Sequence, residues 1–162
     1  MKPSLRSPLN HSSRILIIAA VATASIGAGQ PPPPDLSALA AKARLEGPVA
    51  AWCRGDFRPG HSGEFAVAIR SAAGGGRYVG LQADATVIQV ASFTREPDLS
   101  CYSRAEAEEL NMTIAQSETI HGAVATRWDM AVVCAFVDDT TAVCWQYSPA
   151  DKAFVKVGGW IT

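Results

Sequence analysis

The chain lacks the frames that ordinarily announce chemistry. Among 162 residues there is no G-x-S-x-G elbow, no H-E-x-x-H helix and no Lys-Ser/Thr after a glycine-rich loop, so the common serine-hydrolase, metalloprotease and P-loop geometries have no local signature. No Cys-x-x-Cys is present, and the closest cysteines, Cys134 and Cys144, are ten apart. That spacing argues against a zinc knuckle and leaves no cofactor or metal to expect. Basic stripes are also missing, which speaks against nucleic acid as a partner. No internal repeat is evident. The longest apolar run, Ile15 to Ala28 ("ILIIAAVATASIGA"), has 14 residues, short of the roughly 20 that cross a bilayer.

That run is nevertheless informative, because Lys2, Arg6 and Arg14 precede it and no acidic residue occurs before Asp35. A cationic start, an apolar stretch of about 7–15 residues and small residues at its end make a secretory signal peptide over residues 1–28. Cleavage is expected after Ala24 or after Ala28. The membrane would then be touched only through an uncleaved signal anchor. Pro31 to Pro34 form a stiff, extended spacer, and residues 29–34 read as a linker. Residues 35–162 are expected to form one secreted or periplasmic domain. With three of the 14 basic residues in the leader, 11 − 15 gives that domain a formal charge of −4.

Cys53, Cys101, Cys134 and Cys144 all fall in this segment, and an even cysteine set in an exported chain reads as disulfides. Three pairings are possible. Proximity favours Cys53–Cys101 with Cys134–Cys144. The hairpin "MAVVCAFVDDTTAVCWQY" leaves this open, because a four-residue loop starting at Asp138 sets Cys134 opposite Trp145. A three-residue loop, 138–140, sets Cys134 opposite Cys144 but calls for a left-handed residue where β-branched Thr140 stands.

The remaining pattern predicts an α+β fold of two short helices and two antiparallel β-meanders. Asp35 is expected to cap a first helix carrying Leu36, Leu39, Ala40 and Ala43 on one face and ending by Gly47-Pro48. "EFAVAIR", "RYVGL" and "TVIQVASF" make the first meander, with Glu64 opening its first strand. Ser103-x-x-Glu106 is a capping box for a second helix that runs to about Ile114. "WDMAVVCAFV", "TAVCWQY" and "AFVKVGGWI" make the second meander.

Candidate functional residues concentrate in "WCRGDFRPGHSGE", Trp52 to Glu64. Arg54-Gly55-Asp56 is a cell-adhesion tripeptide, here placed beside residues expected to be buried or bridged. His61 with Asp56 or Glu64 has the residue types of a general base and its orienting carboxylate, and Arg54 and Arg58 could meet an anion. The competing explanation is a turn-rich passage from helix to sheet, since Pro59-Gly60 and Ser62-Gly63 are turn dipeptides. His121 has no local carboxylate or thiol partner. Glu106, Glu108 and Glu109 suit a first helical turn, and Asp138 and Asp139 suit a hairpin loop. Trp52, Trp128, Trp145 and Trp160 either fill the core or offer a platform for a sugar or a protein. The expectation is a non-catalytic binding or inhibitor-type module with a protein or carbohydrate ligand, and the alternative is a small hydrolase built on His61.

Overall fold

The structure is a computed structural model describing residues 31–114 and 130–161. Along the chain these form α1 (Pro34–Lys42), β1 (Val49–Gly55), β2 (Glu64–Arg70), β3 (Gly76–Leu81), β4 (Val87–Phe93), β5 (Leu99–Tyr102), α2 (Arg104–Ile114), β6 (Val132–Phe136), β7 (Thr141–Ser148) and β8 (Ala153–Ile161). The strands make two antiparallel four-stranded sheets, β1-β2-β3-β4 and β5-β6-β7-β8. The fold is therefore mostly β, with two short helices and two disulfides.

Each sheet gains one strand that the periodicity did not reveal. Val49–Gly55, "VAAWCRG", pairs along β2, so Trp52 to Gly55 belong to a strand and Glu64 opens the second strand rather than the first. Small residues and an exposed arginine give it little β propensity of its own. It is held because Ala51 and Cys53 are buried in the core between the sheets. β5 has only four residues and pairs with β6.

Strand alternation divides the side chains between two packing layers. From β2, Ala66 and Ala68 enter the core shared by both sheets, whereas Phe65, Val67 and Ile69 pack with Leu36 of α1. Both sheets mix small and large side chains in the shared core: the first contributes Ala51, Ala66, Ala68, Tyr78 and Phe93, and the second Val133, Ala135, Trp145 and Tyr147, with Phe154 packed against them. Gly80 allows a close approach between the sheets, since a Cβ there would lie 2.4 Å from the Phe154 ring. Tyr78 ties the layers together by donating its hydroxyl to the Phe136 carbonyl at 3.0 Å, and burial pushes its pKa up to about 12. On the outer side of the second sheet, Ala107 of α2 packs with Val132, Cys134, Cys144 and Val157.

The helix ends follow local chemistry with one correction. Asp35 is not the N-cap of α1; that position is Pro33, and Pro34 is the first helical residue, where a missing N–H costs nothing. Asp35 instead sits in the first turn, accepts the Leu36 N–H at 3.0 Å and pairs with Arg54. α1 stops at Lys42, ahead of Gly47, and Arg44 adopts a left-handed φ of 52°. α2 opens on the expected capping box: the Ser103 N–H donates to the Glu106 carboxylate at 2.8 Å and the Glu106 N–H to the Ser103 hydroxyl at 3.4 Å.

Cysteine pairing depends on how the β6–β7 hairpin turns. Its loop is the three-residue one: the Val137 N–H donates to the Thr141 carbonyl, and Cys134 stands opposite Cys144. The four-residue loop is thereby excluded, although Thr140 does not adopt positive φ. Asp138 supplies what the backbone lacks, because its Oδ1 accepts the N–H groups of Thr140 and Thr141 at 2.9 and 2.7 Å. Those bonds hold the Asp138 carboxyl below its ordinary pKa. Cys134–Cys144 consequently bridges neighbouring strands beneath α2, and Cys53–Cys101 links β1 to β5 within the shared core.

Exposed sheet edges invite pairing with other chains, and bulges or short strands blunt them. Here β1 is irregular after Val49, the β3–β4 pairing skips Val90, and the β7–β8 pairing skips Val157. The fourth edge is the four-residue β5.

Candidate functional site

The segment from Asp56 to Gly63 leaves the core at one end of β2. Its base is pinned on the second-sheet side, by Ala131 just before β6 and by Phe154 of β8. The Asp56 carbonyl accepts the Ala131 N–H at 2.9 Å, and the buried Phe57 ring meets Phe154 edge-on at 5.8 Å.

Glu64 completes the anchorage from beneath. Its side chain is 2% exposed; Oε2 accepts the N–H groups of Phe57 and Arg58 at 3.2 and 3.1 Å, and Oε1 accepts Arg58 Nε at 2.5 Å. A buried carboxylate needs such donors to offset its lost hydration. Above this brace the chain turns through a bond from the His61 N–H to the Arg58 carbonyl at 3.1 Å, with left-handed glycines at 60 and 63. Pro59 to Gly63 are exposed.

This loop shares a cleft of about 370 Å³ with the β7–β8 turn, lined by Arg58, Pro59, His61, Tyr147, Pro149 and Lys152. The turn is fastened by Ser148 Oγ donating to Asp151 at 2.6 Å, and Lys152 takes a left-handed φ of 52°. Lys152 has no ion-pair partner among the described residues. Arg58 is already committed to Glu64, and its field adds slightly to the low pKa of Asp84, which is set mainly by the Thr86 N–H. Among the described residues no carboxylate lines this cleft. The exposed rim thus combines Pro59 and Pro149 with an imidazole and a lysine, while Tyr147 lies buried at its base.

The structure does not bring the three candidate catalytic residues into one acid–base set. Glu64 faces inward and is engaged, whereas Asp56 and His61 are exposed, and among the described residues no hydrogen bond or ion pair joins His61 to either carboxylate. Arg54 is no free adhesion cation. It lies in β1, pairs with Asp35 and stacks 4.9 Å from the Phe65 ring centre.

Of the tryptophans, Trp145 is 3% exposed in the shared core and offers no surface platform. Trp52 is half-buried against Phe65, with ring centres 6.3 Å apart, and its indole N–H has no acceptor among the described residues. Trp160 falls in β8, while Trp128 and His121 lie outside the described residues. Tyr147, Pro149 and Lys152 were not foreseen as lining residues. They are some ninety positions from His61, and turn composition alone does not say which loop a hairpin will face.

No group of three or more His, Cys, Asp or Glu residues converges among the described residues. Comparison of the chain with protein-family models, with characterised proteins and with solved structures returns no match.

Proposed function

We propose that the chain is an extracytoplasmic binding module that presents the braced loop Arg58–Gly63 and its cleft to a protein or carbohydrate ligand. Residues 1–28 would be the signal peptide, 29–34 the linker and 35–162 the binding domain. Two disulfides within a small fold support an oxidising compartment, as does the cationic, apolar start of the sequence.

One observation carries the binding reading. The Glu64 carboxylate is spent on two backbone N–H groups and a guanidinium, which makes it a brace for a recognition loop instead of a partner for His61. Holding a contact loop in one shape before binding reduces the ordering cost of association. Exposed Pro59 and Pro149 add stiffness, and exposed His61 and Lys152 supply hydrogen bonding and charge.

Screening the secreted protein against arrays of oligosaccharides and peptides tests the reading. A ligand whose affinity falls about tenfold or more, about 1.4 kcal/mol, in both His61→Ala and Lys152→Ala at unchanged melting temperature is the expected result. A broad hydrolase screen is the counter-test. Turnover that disappears in His61→Ala, with the fold intact, would replace the binder with an enzyme.

A further inference from the structure

The cleft beside His61 has polar groups beneath it that the loop does not supply. Strand alternation sends Ala66 and Ala68 of β2, and Val143 and Trp145 of β7, into the shared core. Glu64 and Tyr147 each stand two positions further along those rows, so they close the core at the end where the loop sits. The Phe65–Leu81 pairing puts Gln82 at the position facing Glu64, and the Gln82 N–H keeps the chain extended there by donating to the Thr86 carbonyl at 2.9 Å. Tyr147 is paired with Phe154. Glu64, Gln82, Tyr147 and Phe154, with Phe57 and Arg58, line a cavity of about 10 Å³, room for one water-sized group.

Gln82 is 8% exposed and Tyr147 9%. Amides and hydroxyls so far from solvent almost always have hydrogen-bond partners, because leaving one unpaired costs its full desolvation. Among the described residues neither the Gln82 amide nor the Tyr147 hydroxyl has one. Nor are they sealed in: the wholly enclosed, unpartnered polar side-chain atom among the described residues is the Trp52 indole nitrogen. Both groups are therefore reachable from outside. Arg58 and Tyr147 line the small cavity and the His61 cleft alike, so the two spaces adjoin at the phenol.

We infer that the ligand of this cleft is a neutral sugar that lowers one hydroxyl between Gln82 and Tyr147. The inference rests on the binding reading of the His61 cleft and narrows it to a carbohydrate. A hydroxyl both donates and accepts, as do the amide and the phenol that would receive it. An ionised group fits less well, because Glu64 and Arg58 already neutralise each other; a carboxylate would meet the first and an ammonium the second. The hydroxymethyl arm of a pyranose carries such an oxygen on a single slender bond. Its ring would then lie in the outer cleft, whose volume of about 370 Å³ falls in the usual range for small ligands. There Pro59 and Pro149 face the C–H surface of the ring, and His61 and Lys152 reach its other hydroxyls. A protein docking on the exposed rim would leave the two buried groups unpaired, which favours the sugar.

NMR titration of the secreted protein with the methyl glycosides of glucose, galactose and mannose, each beside its 6-deoxy counterpart, tests the inference. At least one hydroxymethyl sugar should bind saturably and shift the Gln82 side-chain amide signal. It should bind about tenfold more tightly than its 6-deoxy form, the worth of one well-made hydrogen bond. Tyr147→Phe and Gln82→Leu should each weaken the parent sugar by about threefold or more and leave the 6-deoxy sugar unchanged, since only the parent makes the bond that each variant deletes. Neither group is bonded within the protein, so both variants should keep the wild-type melting temperature. No saturation with any of the sugars, equal affinity for a sugar and its 6-deoxy form, a preference that survives in both variants, or a fall in the melting temperature of Tyr147→Phe would overturn the inference. A peptide ligand that depends on His61 and Lys152 but not on Gln82 or Tyr147 would overturn it too, while leaving the binding module standing.

Discussion

Replacing Glu64 by alanine should destabilise the protein far more than any single change among the exposed loop residues Pro59 to Gly63 that it supports. The substitution removes the acceptor for the buried Phe57 N–H and the Arg58 N–H, and strips a guanidinium that is only 17% exposed of its counter-charge. Breaking a buried ion pair by deleting one partner costs about 3–5 kcal/mol, because the other charge stays desolvated. At roughly 4 °C per kcal/mol for a domain of this size, the melting temperature should fall by about 12–20 °C. Glu64→Gln should lose less, since its amide oxygen can still accept one or both N–H groups. Urea unfolding monitored by tryptophan fluorescence measures both effects, and the Arg58→Ala/Glu64→Ala double mutant isolates their coupling. His61→Ala, three residues away and exposed, is the control and should shift stability by about 0.5 kcal/mol or less. A loss below about 1 kcal/mol in Glu64→Ala, or no coupling to Arg58, would refute the brace.

Other outcomes follow from the same contacts. Thiol titration of the denatured, unreduced protein should find no free cysteine, and peptide mapping should recover Cys53–Cys101 and Cys134–Cys144. With sequence separations of 48 and 10, chain-entropy reasoning assigns them about 4 and about 2.7 kcal/mol, so Cys53→Ala should be the more damaging change. Because burial raises the Tyr78 pKa from 10.0 to about 12, the unfolded state releases this proton first. Its contribution is therefore fully present below pH 10 and is lost as pH approaches 12; in Tyr78→Phe, alkaline unfolding monitored by circular dichroism should lose that slope. Intact-mass measurement should find the exported chain starting after Ala24 or Ala28, and retention of Met1 in a membrane-bound form would argue for an anchor.

Features carried by neighbours in the chain were legible without coordinates. Alternating apolar residues in "EFAVAIR" and "TVIQVASF" mark strands because side chains in a strand alternate between faces. Ser103 and Glu106 mark a helix start because both partners of the capping box lie within one turn. An even set of cysteines behind a cationic, apolar start points to disulfides. Even so, local rules misled where a neighbouring group could substitute for the backbone: Pro34 took the helix start from Asp35, and the Asp138 carboxylate closed a loop that Thr140 seemed unable to form.

Everything that required distant segments to meet was decided by tertiary structure. β1 is a strand because it pairs along β2 and buries Ala51 and Cys53 in the shared core, where Cys53 finds Cys101 of β5. Trp145 belongs to that core by packing, although its type suits a binding surface equally well. Glu64 became a brace when folding placed two backbone donors and a guanidinium around its carboxylate, since a charge withdrawn from water is stable only among such partners. His61, Tyr147 and Lys152 share a cleft for a related reason. The residue types were present in the sequence, but chemistry between them depends on distances that only the packing of two sheets establishes.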